Sequence, residues 1–392
     1  MRRMRVLHLN HSSEAGGAEF TLRNMLRARP SWSPLLLTPP PRGVDLFADV
    51  PFRRVSGVRQ PYGVSSDGVW TTAVATGSLL LQAALLRRHR AFRTADIVNA
   101  NSTRAAAYAA LAAWTSGVPF VVHLHDTVDR LTLGRAGLAI MSRIVLPRAD
   151  GIVSNSAWTL ETASRYLRPG ALTTVIPSAA GLRLHENAVQ PPRTTKDRPL
   201  RVGMLARIDP WKGQALLLEA FARAFPRDGA TLEFAGAAPF GHEDYLAGLR
   251  VHAAALGVAD RVRFLGHVVD VPGLLSRWDV AVQFSTRPEP LGQNVLQYLA
   301  SGCVTVVSGE GGPAEWVADG VNGATVPPRD VAALSRTLES LCADSARRER
   351  LSAAATATPG LLDDRAVAEA HAGFYRRVAI SCARRAGVRC SG

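Results

Sequence analysis

Glu289 stands between Pro288 and Pro290 in a stretch that reads STRPEPLGQNVLQYLASG from Ser285 to Gly302, and GGPAEWVADGVNG follows from Gly311 to Gly323. Leu291, Val295, Leu296 and Leu299 recur at helical spacing, so the prolines predict a loop that turns into a helix. Gly292, Gln293 and Asn294 would form the first turn, where backbone N–H groups have no partners. Such an end carries about half a positive charge and can hold phosphate or sugar hydroxyls without a side-chain cation. Glu289 is expected at its lip. Arg207 and Lys212 occupy a second loop, between a strand at Leu200 to Leu205 and a helix beginning near Gly213, and converge on the sheet edge. Gly16 and Gly17 lie between a strand at Arg5 to Asn10 and a helix at Ala18 to Arg29, the order of elements found in phosphate cradles. His125, in FVVHLHD, falls at the carboxyl end of a strand, where parallel sheets bind ligands. Each feature also has an ordinary explanation: a buried helix after a Pro-rich turn, a solvated cationic loop, a tight turn. His123, on the same strand face as His125, reads as a packed histidine or one half of a metal pair, and no third ligand stands at a telling distance.

The elements that would position these residues alternate. Strands are expected at Ser33 to Thr38, Ile97 to Ala100, Phe120 to Leu124, Gly151 to Ser154, Thr231 to Ala235, Val262 to Val268, Asp279 to Phe284 and Val304 to Ser308, with helices between them and continuous helix from Asp330. Alternation of strand and helix predicts α/β architecture, with parallel sheets covered on both faces. The Pro-rich, aperiodic segment between Pro177 and Pro199 divides the chain into a first domain at 1–180, a linker at 181–199, a second domain at 200–362 and a tail at 363–392.

A chain of 392 residues exceeds what one hydrophobic core supports, and 20% charged residues with 47% hydrophobic ones describe a globular protein. The net charge of +14 is uneven: residues 1–185 hold 22 arginines and no lysine against 10 acids, +12, which leaves +2 for the rest. Anionic membrane surface, nucleic acid and an acidic substrate are the partners that such an excess suits, and a GC-rich coding sequence would also produce it. Nucleic acid is disfavoured, because aromatic residues make up 6% and do not interleave with the arginines. Cys303, Cys342, Cys382 and Cys390 form no metal-ligand spacing and suit a reduced, cytoplasmic chain. The opening MRRMRVLHLNHSSE reads as a strand, not a signal peptide. Gly68 to Leu86 contains no charge and is long enough to span a bilayer, but its Thr, Ser and Gln residues favour a buried or surface-lying helix.

The Ser285–Gly302 stretch resembles the donor-site signature of the retaining glycosyltransferases of family 4. RVGMLARIDPWKG from Arg201 to Gly213 and GGAE from Gly16 to Glu19 resemble two further loops of that family. The resemblance implies the GT-B fold: two Rossmann-like doubly wound domains facing a cleft, with a C-terminal helix that crosses back to the first domain. It implies transfer of a hexose-type sugar from a nucleotide-diphosphate sugar, UDP- or GDP-linked, to an acceptor hydroxyl on a glycan, glycolipid or small molecule. Anomeric configuration would be retained, with no metal and no further cofactor. Arg207 and Lys212 would hold the leaving diphosphate. Glu289, with the Gly292 and Gln293 amides and Asn294, would hold the donor sugar, and His125 would reach the same sugar. Gly16 and Gly17 would approach phosphate and acceptor, and main-chain groups at Val268 to Val271 the base. Acceptor contacts would come from first-domain loops such as Pro39 to Tyr62. Gln297 occupies the position of a second family acid that holds the ribose, and an amide has one acceptor oxygen where a carboxylate has two. Ser178 to Gly181 likewise replaces the usual Asn-Gly-Val-Asp turn. A non-catalytic nucleotide-sugar-binding protein of this fold and a basic scaffold docked on the inner membrane face are the readings from other classes.

Overall fold

The computed structural model describes residues 2–14, 16–41, 43–57, 69–114, 116–181, 199–227, 230–238, 241–385 and 387, with the backbone alone for 69–75. The expected linker from 182 to 198, Gly68, Cys390 and residues 42 and 58–62 of the expected acceptor loop lie outside them. The chain forms two compact units, Met1–Ser178 with Asp364–Gly392, and Ala179–Asp363.

The first unit is built on β1 (Arg5–Leu9), β2 (Ser33–Thr38), β3 (Arg53–Val55), β4 (Ile97–Ala100), β5 (Phe120–Leu124), β6 (Gly151–Ser154) and β7 (Leu172–Val175). They form one sheet in the order β3-β2-β1-β4-β5-β6-β7, and every pairing is parallel. β4, β5 and β6 are buried at every residue, as strands covered on both faces must be. The helix Thr103–Ala113 contributes small side chains, Ala105 to Ala107, Ala109, Ala110, Ala112 and Ala113, that let it lie close to the sheet. Ser102 caps it by accepting from the Ala105 N–H. The C-terminal helix Asp364–Arg385 belongs to this unit, with Phe374 and Val378 packed over β6. Gly151 makes room for it: a Cβ there would stand 2.7 Å from Val378.

The second unit carries β8 (Leu200–Leu205), β9 (Ala230–Ala235), β10 (Val262–Gly266), β11 (Val280–Gln283), β12 (Val304–Ser308) and β13 (Gly323–Val326), again all parallel, in the order β10-β9-β8-β11-β12-β13. Its core is a run of valines, leucines and phenylalanines from these strands and the helices Gln214–Ala224 and Val331–Ala343.

Three strands differ from the sequence expectation. β3, β7 and β13 are short edge strands, and β7 alternates between half-buried and exposed residues, so none presents an apolar run. The expected continuous helix from Asp330 is three helices. Asp344 caps the second by accepting from the Arg347 N–H at 2.8 Å, and Pro359 and Gly360 precede the third. Among the described residues no helix is long and apolar enough to cross a membrane. The helix Val69–Arg88 buries Gln82, Ala83 and Leu86 and leaves Leu80, Leu81 and Leu85 exposed.

Candidate functional site

In the second unit the sequence-expected residues gather at the carboxyl ends of β8 and β11. Gly213 is what lets the two loops meet. Its φ is +81°, and a Cβ there would stand 1.9 Å from the Phe284 carbonyl oxygen, just past β11. Lys212, in the preceding turn Pro210–Lys212, thereby reaches the Glu289 carboxylate at 2.9 Å. Its ammonium also lies 4.0 Å from the Trp211 ring centre, a cation–π contact. Glu289 is buried, not at the lip of the helix, because the loop that carries it folds onto Gly311 and Gly312, and the Gly312 N–H donates to the Glu289 carbonyl at 2.8 Å. Gln283 donates to its carboxylate at 3.1 Å and the Ser285 hydroxyl donates to the same oxygen. Burial alone would push this carboxyl up, but Lys212 and the hydrogen bonds from Ser285, Lys212 and Gln283 outweigh it and hold it below its usual value.

Arg207 stands in the same loop, half-exposed, 3.8 Å from Asp209. Gly292, in the left-handed conformation with φ +73°, precedes the helix Gln293–Ala300. Gln293 and Asn294 turn their side chains inward: Gln293 donates to the Ala179 carbonyl at 2.6 Å and Asn294 to the Leu205 carbonyl at 3.1 Å. What these two leave outward is backbone. Gln297, half-buried one turn later, makes no side-chain hydrogen bond to the described residues, and a Cβ added at Gly181 would stand 3.9 Å from its amide nitrogen.

In the first unit His125 closes β5 beside Asn101, which follows β4. His125 Nε2 is 3.1 Å from the Asn101 side-chain oxygen. Asn101 in turn donates to the Asn10 side-chain oxygen at 3.2 Å, and Asn10 to Glu19 at 3.0 Å. Burial pushes the Glu19 carboxyl up, and burial with the neighbouring His371 holds His125 down to about 3, so the ring is neutral near pH 7. Gly16 and Gly17 open the helix Gly17–Arg27, and a Cβ on Gly16 would meet the Glu19 carboxylate at 2.4 Å. His123 lies behind His125, with ring centres 3.9 Å apart, and 5.2 Å from His371. It is a packed histidine: among the described residues no group of three or more His, Cys, Asp and Glu is arranged to hold a metal ion.

The family model described as Glycosyltransferase Family 4 matches residues 15–180, and that of Glycosyl transferases group 1 matches 187–358. The solved structure of Anabaena HepE in complex with UDP and glucose superposes with a TM-score of 0.79 over 95% of this chain and 100% of that one, at 24% identity. The chain belongs to the group 1 glycosyltransferases, with the GT-B fold. Glycogen synthase of Mycobacterium tuberculosis is 29% identical over 299 residues, 73% of this chain and 70% of that protein. A GDP-mannose-dependent alpha-(1-6)-phosphatidylinositol monomannoside mannosyltransferase of Mycolicibacterium smegmatis is 32% identical over 217 residues, 50% of this chain and 56% of that protein.

In this glycosyltransferase, then, the structure brings Lys212, Glu289 and the Gly292 helix start together in one unit, and His125 with the Gly16–Gly17 turn in the other. Sequence reasoning missed Gln283, Asn10, Asn101 and Glu19. A readable sign existed for the first three, since each is an amide at the end of a buried strand. Lys212 carried a further sign: it is one of two lysines among 46 cationic residues, so a chain that uses arginine almost everywhere keeps the compact ammonium here.

Proposed function

We propose that this glycosyltransferase moves a hexose from a nucleoside diphosphate to an acceptor hydroxyl with retention of anomeric configuration and without a metal ion, in the cytoplasm. The observation that carries the proposal is the ion pair of half-buried Lys212 with buried Glu289 beside the start of the Gln293–Ala300 helix. When the bond from the anomeric carbon to the phosphate oxygen breaks, negative charge grows on the diphosphate. Lys212, Arg207 and the backbone N–H groups at Gly292 and Gln293 are fixed donors for that charge, which need no reorganisation at the moment of reaction. Glu289, kept ionised by Lys212, accepts from sugar hydroxyls, as does the neutral His125. The acceptor oxygen bonds to the anomeric carbon on the face the phosphate leaves, and its proton passes to the departing phosphate oxygen. Gly16 and Gly17 let backbone approach phosphate and acceptor, Asn294 holds the helix start to β8, and Gln297 accepts from one ribose hydroxyl.

UDP and GDP donors both fit this chemistry: the Anabaena neighbour is described with UDP and glucose, and the mycobacterial relative as GDP-mannose-dependent. Incubating the protein with UDP-, GDP- and ADP-sugars, with and without chelator, and measuring released nucleotide tests the reading. Turnover of one nucleotide class, unaffected by chelator, is expected; release from none would overturn it.

The acceptor side is proposed to work against an anionic bilayer. Leu80, Leu81 and Leu85 are exposed on the Val69–Arg88 helix, and Arg87, Arg88, Arg90 and Arg93 follow on its end. Apolar side chains beside clustered arginines suit insertion at a negatively charged lipid surface. Flotation with anionic vesicles that weakens between low and high salt is expected, and equal binding to neutral vesicles would contradict it.

A further inference from the structure

At the carboxyl edge of the first sheet, Glu19, Asn10, Asn101 and His125 form one buried line of hydrogen bonds whose direction is set by groups that can only accept. Asn10 donates from its side-chain nitrogen to the Ser12 carbonyl at 2.7 Å and to the Glu19 carboxylate at 3.0 Å. The Ser12 carbonyl cannot donate, so the Asn10 amide is held one way round and its own oxygen faces Asn101. Asn101 donates to that oxygen and to the Ala18 carbonyl, each at 3.2 Å. Its nitrogen is therefore committed, and its oxygen is what remains for His125 Nε2 at 3.1 Å. An amide oxygen cannot donate, so the imidazole must. Asn10 and Asn101 are fully buried and Glu19 nearly so, which leaves no solvent to offer the amides an alternative orientation. The ring itself is held in place, since the His125 carbonyl accepts from Asn155 at 3.0 Å and the ring lies against His123.

We propose that Glu19, Asn10 and Asn101 are positioning residues that fix His125 as the Nε2–H tautomer, leaving Nδ1 as a bare acceptor for a substrate hydroxyl. The second half of this statement rests on the functional reading above, in which His125 meets the sugar. The consequence is a requirement at one sugar position: the group facing His125 must donate a hydrogen bond, so a hydroxyl is taken and a fluorine or methoxy in its place is refused. A histidine read only as a polar residue near the substrate would accept either. It also explains why the acid of the GGAE turn is buried beside Gly16, where only a glycine leaves space for its carboxylate.

The test is nitrogen NMR on the full-length protein labelled with 15N-histidine at pH 7, with His125 assigned by its disappearance in His125→Gln. A protonated Nε2 and an unprotonated Nδ1 are expected. Glu19→Gln keeps an acceptor oxygen and should preserve that pattern, whereas Glu19→Leu and Asn101→Leu should give a mixed or reversed one. An Nδ1–H tautomer or a charged ring in the unmodified protein would overturn the proposal, and so would an unchanged pattern in folded Asn101→Leu; the unmodified spectrum decides alone if the leucine variants do not fold. A series of donors with single hydroxyls replaced by fluorine reads the second half. One position should lose at least tenfold in kcat/KM, and that loss should vanish in His125→Gln. With the tautomer as stated but no fluorine-sensitive position, contact between His125 and sugar is refuted while the hydrogen-bonded line stands.

Discussion

At the residue scale the buried Glu289 carboxylate and the half-buried Lys212 ammonium form one ion pair. Removing one member of such a pair strands the other, at a cost on the order of 3 kcal/mol. Lys212→Ala is therefore expected to lower stability as well as turnover, because Glu289 would keep its charge without its neighbour. The double variant Lys212→Ala/Glu289→Gln separates the effects: urea unfolding should recover much of the lost stability, while turnover stays down by roughly 100-fold or more. Gln297 offers a gain instead. Gln297→Glu supplies a charged acceptor for the ribose, and calorimetric titration should find nucleoside diphosphate bound roughly tenfold more tightly, about 1.4 kcal/mol. Arg207, Lys212 and Glu289 stood out in the sequence because charged residues at loop positions are conspicuous. Asn10 and Asn101 did not, since an amide at a strand end acquires its partner only when strand order brings β4 between β1 and β5.

At the element scale, glycine decides which loops can touch. Gly213→Ala would force a Cβ onto the Phe284 carbonyl in a left-handed conformation, and a loss on the order of 3 kcal/mol is expected. Nucleotide affinity should fall in the protein that still folds, because Lys212 is displaced from Glu289. The sequence identified the turn from its glycine, but not the approach, which depends on β8 and β11 being neighbours although far apart in the chain. The same limit applies to the C-terminal helix. Its apolar spacing was legible, whereas His371 packing against the rings of His123 and Tyr375 was not. That packing has a pH signature. Burial holds His8 down to about 3 and His371 to about 4, against an ordinary value of 6.5. The unfolded chain then binds more protons than the folded one, so stability is intact above pH 6.5 and is lost as pH falls from there toward 4. Each histidine contributes up to about 1.4 kcal/mol per pH unit. Urea midpoints should fall between pH 7 and 5, and His371→Leu should flatten that slope. Glu289, whose carboxyl is held low, acts only below its ordinary value of 4.5 and leaves this window alone.

For the whole molecule, the chain returns at Asp364 to complete the unit in which it began. A chain ending at Asp363 would uncover β6 at Gly151 and leave the Asp150 carboxylate without Arg385. Limited proteolysis of that truncated chain should cleave within 1–178 while 199–363 resists, since the second unit keeps its own core. The doubly wound architecture was legible because buried parallel strands are apolar without interruption, and edge strands such as β3 and β7 escaped notice because they are not. The most direct measurement of the central claim is a crystal structure with nucleoside diphosphate bound. Phosphate oxygens within hydrogen-bond distance of Lys212 Nζ and the Gly292–Gln293 amides are predicted, and a diphosphate seated away from all three would contradict the account.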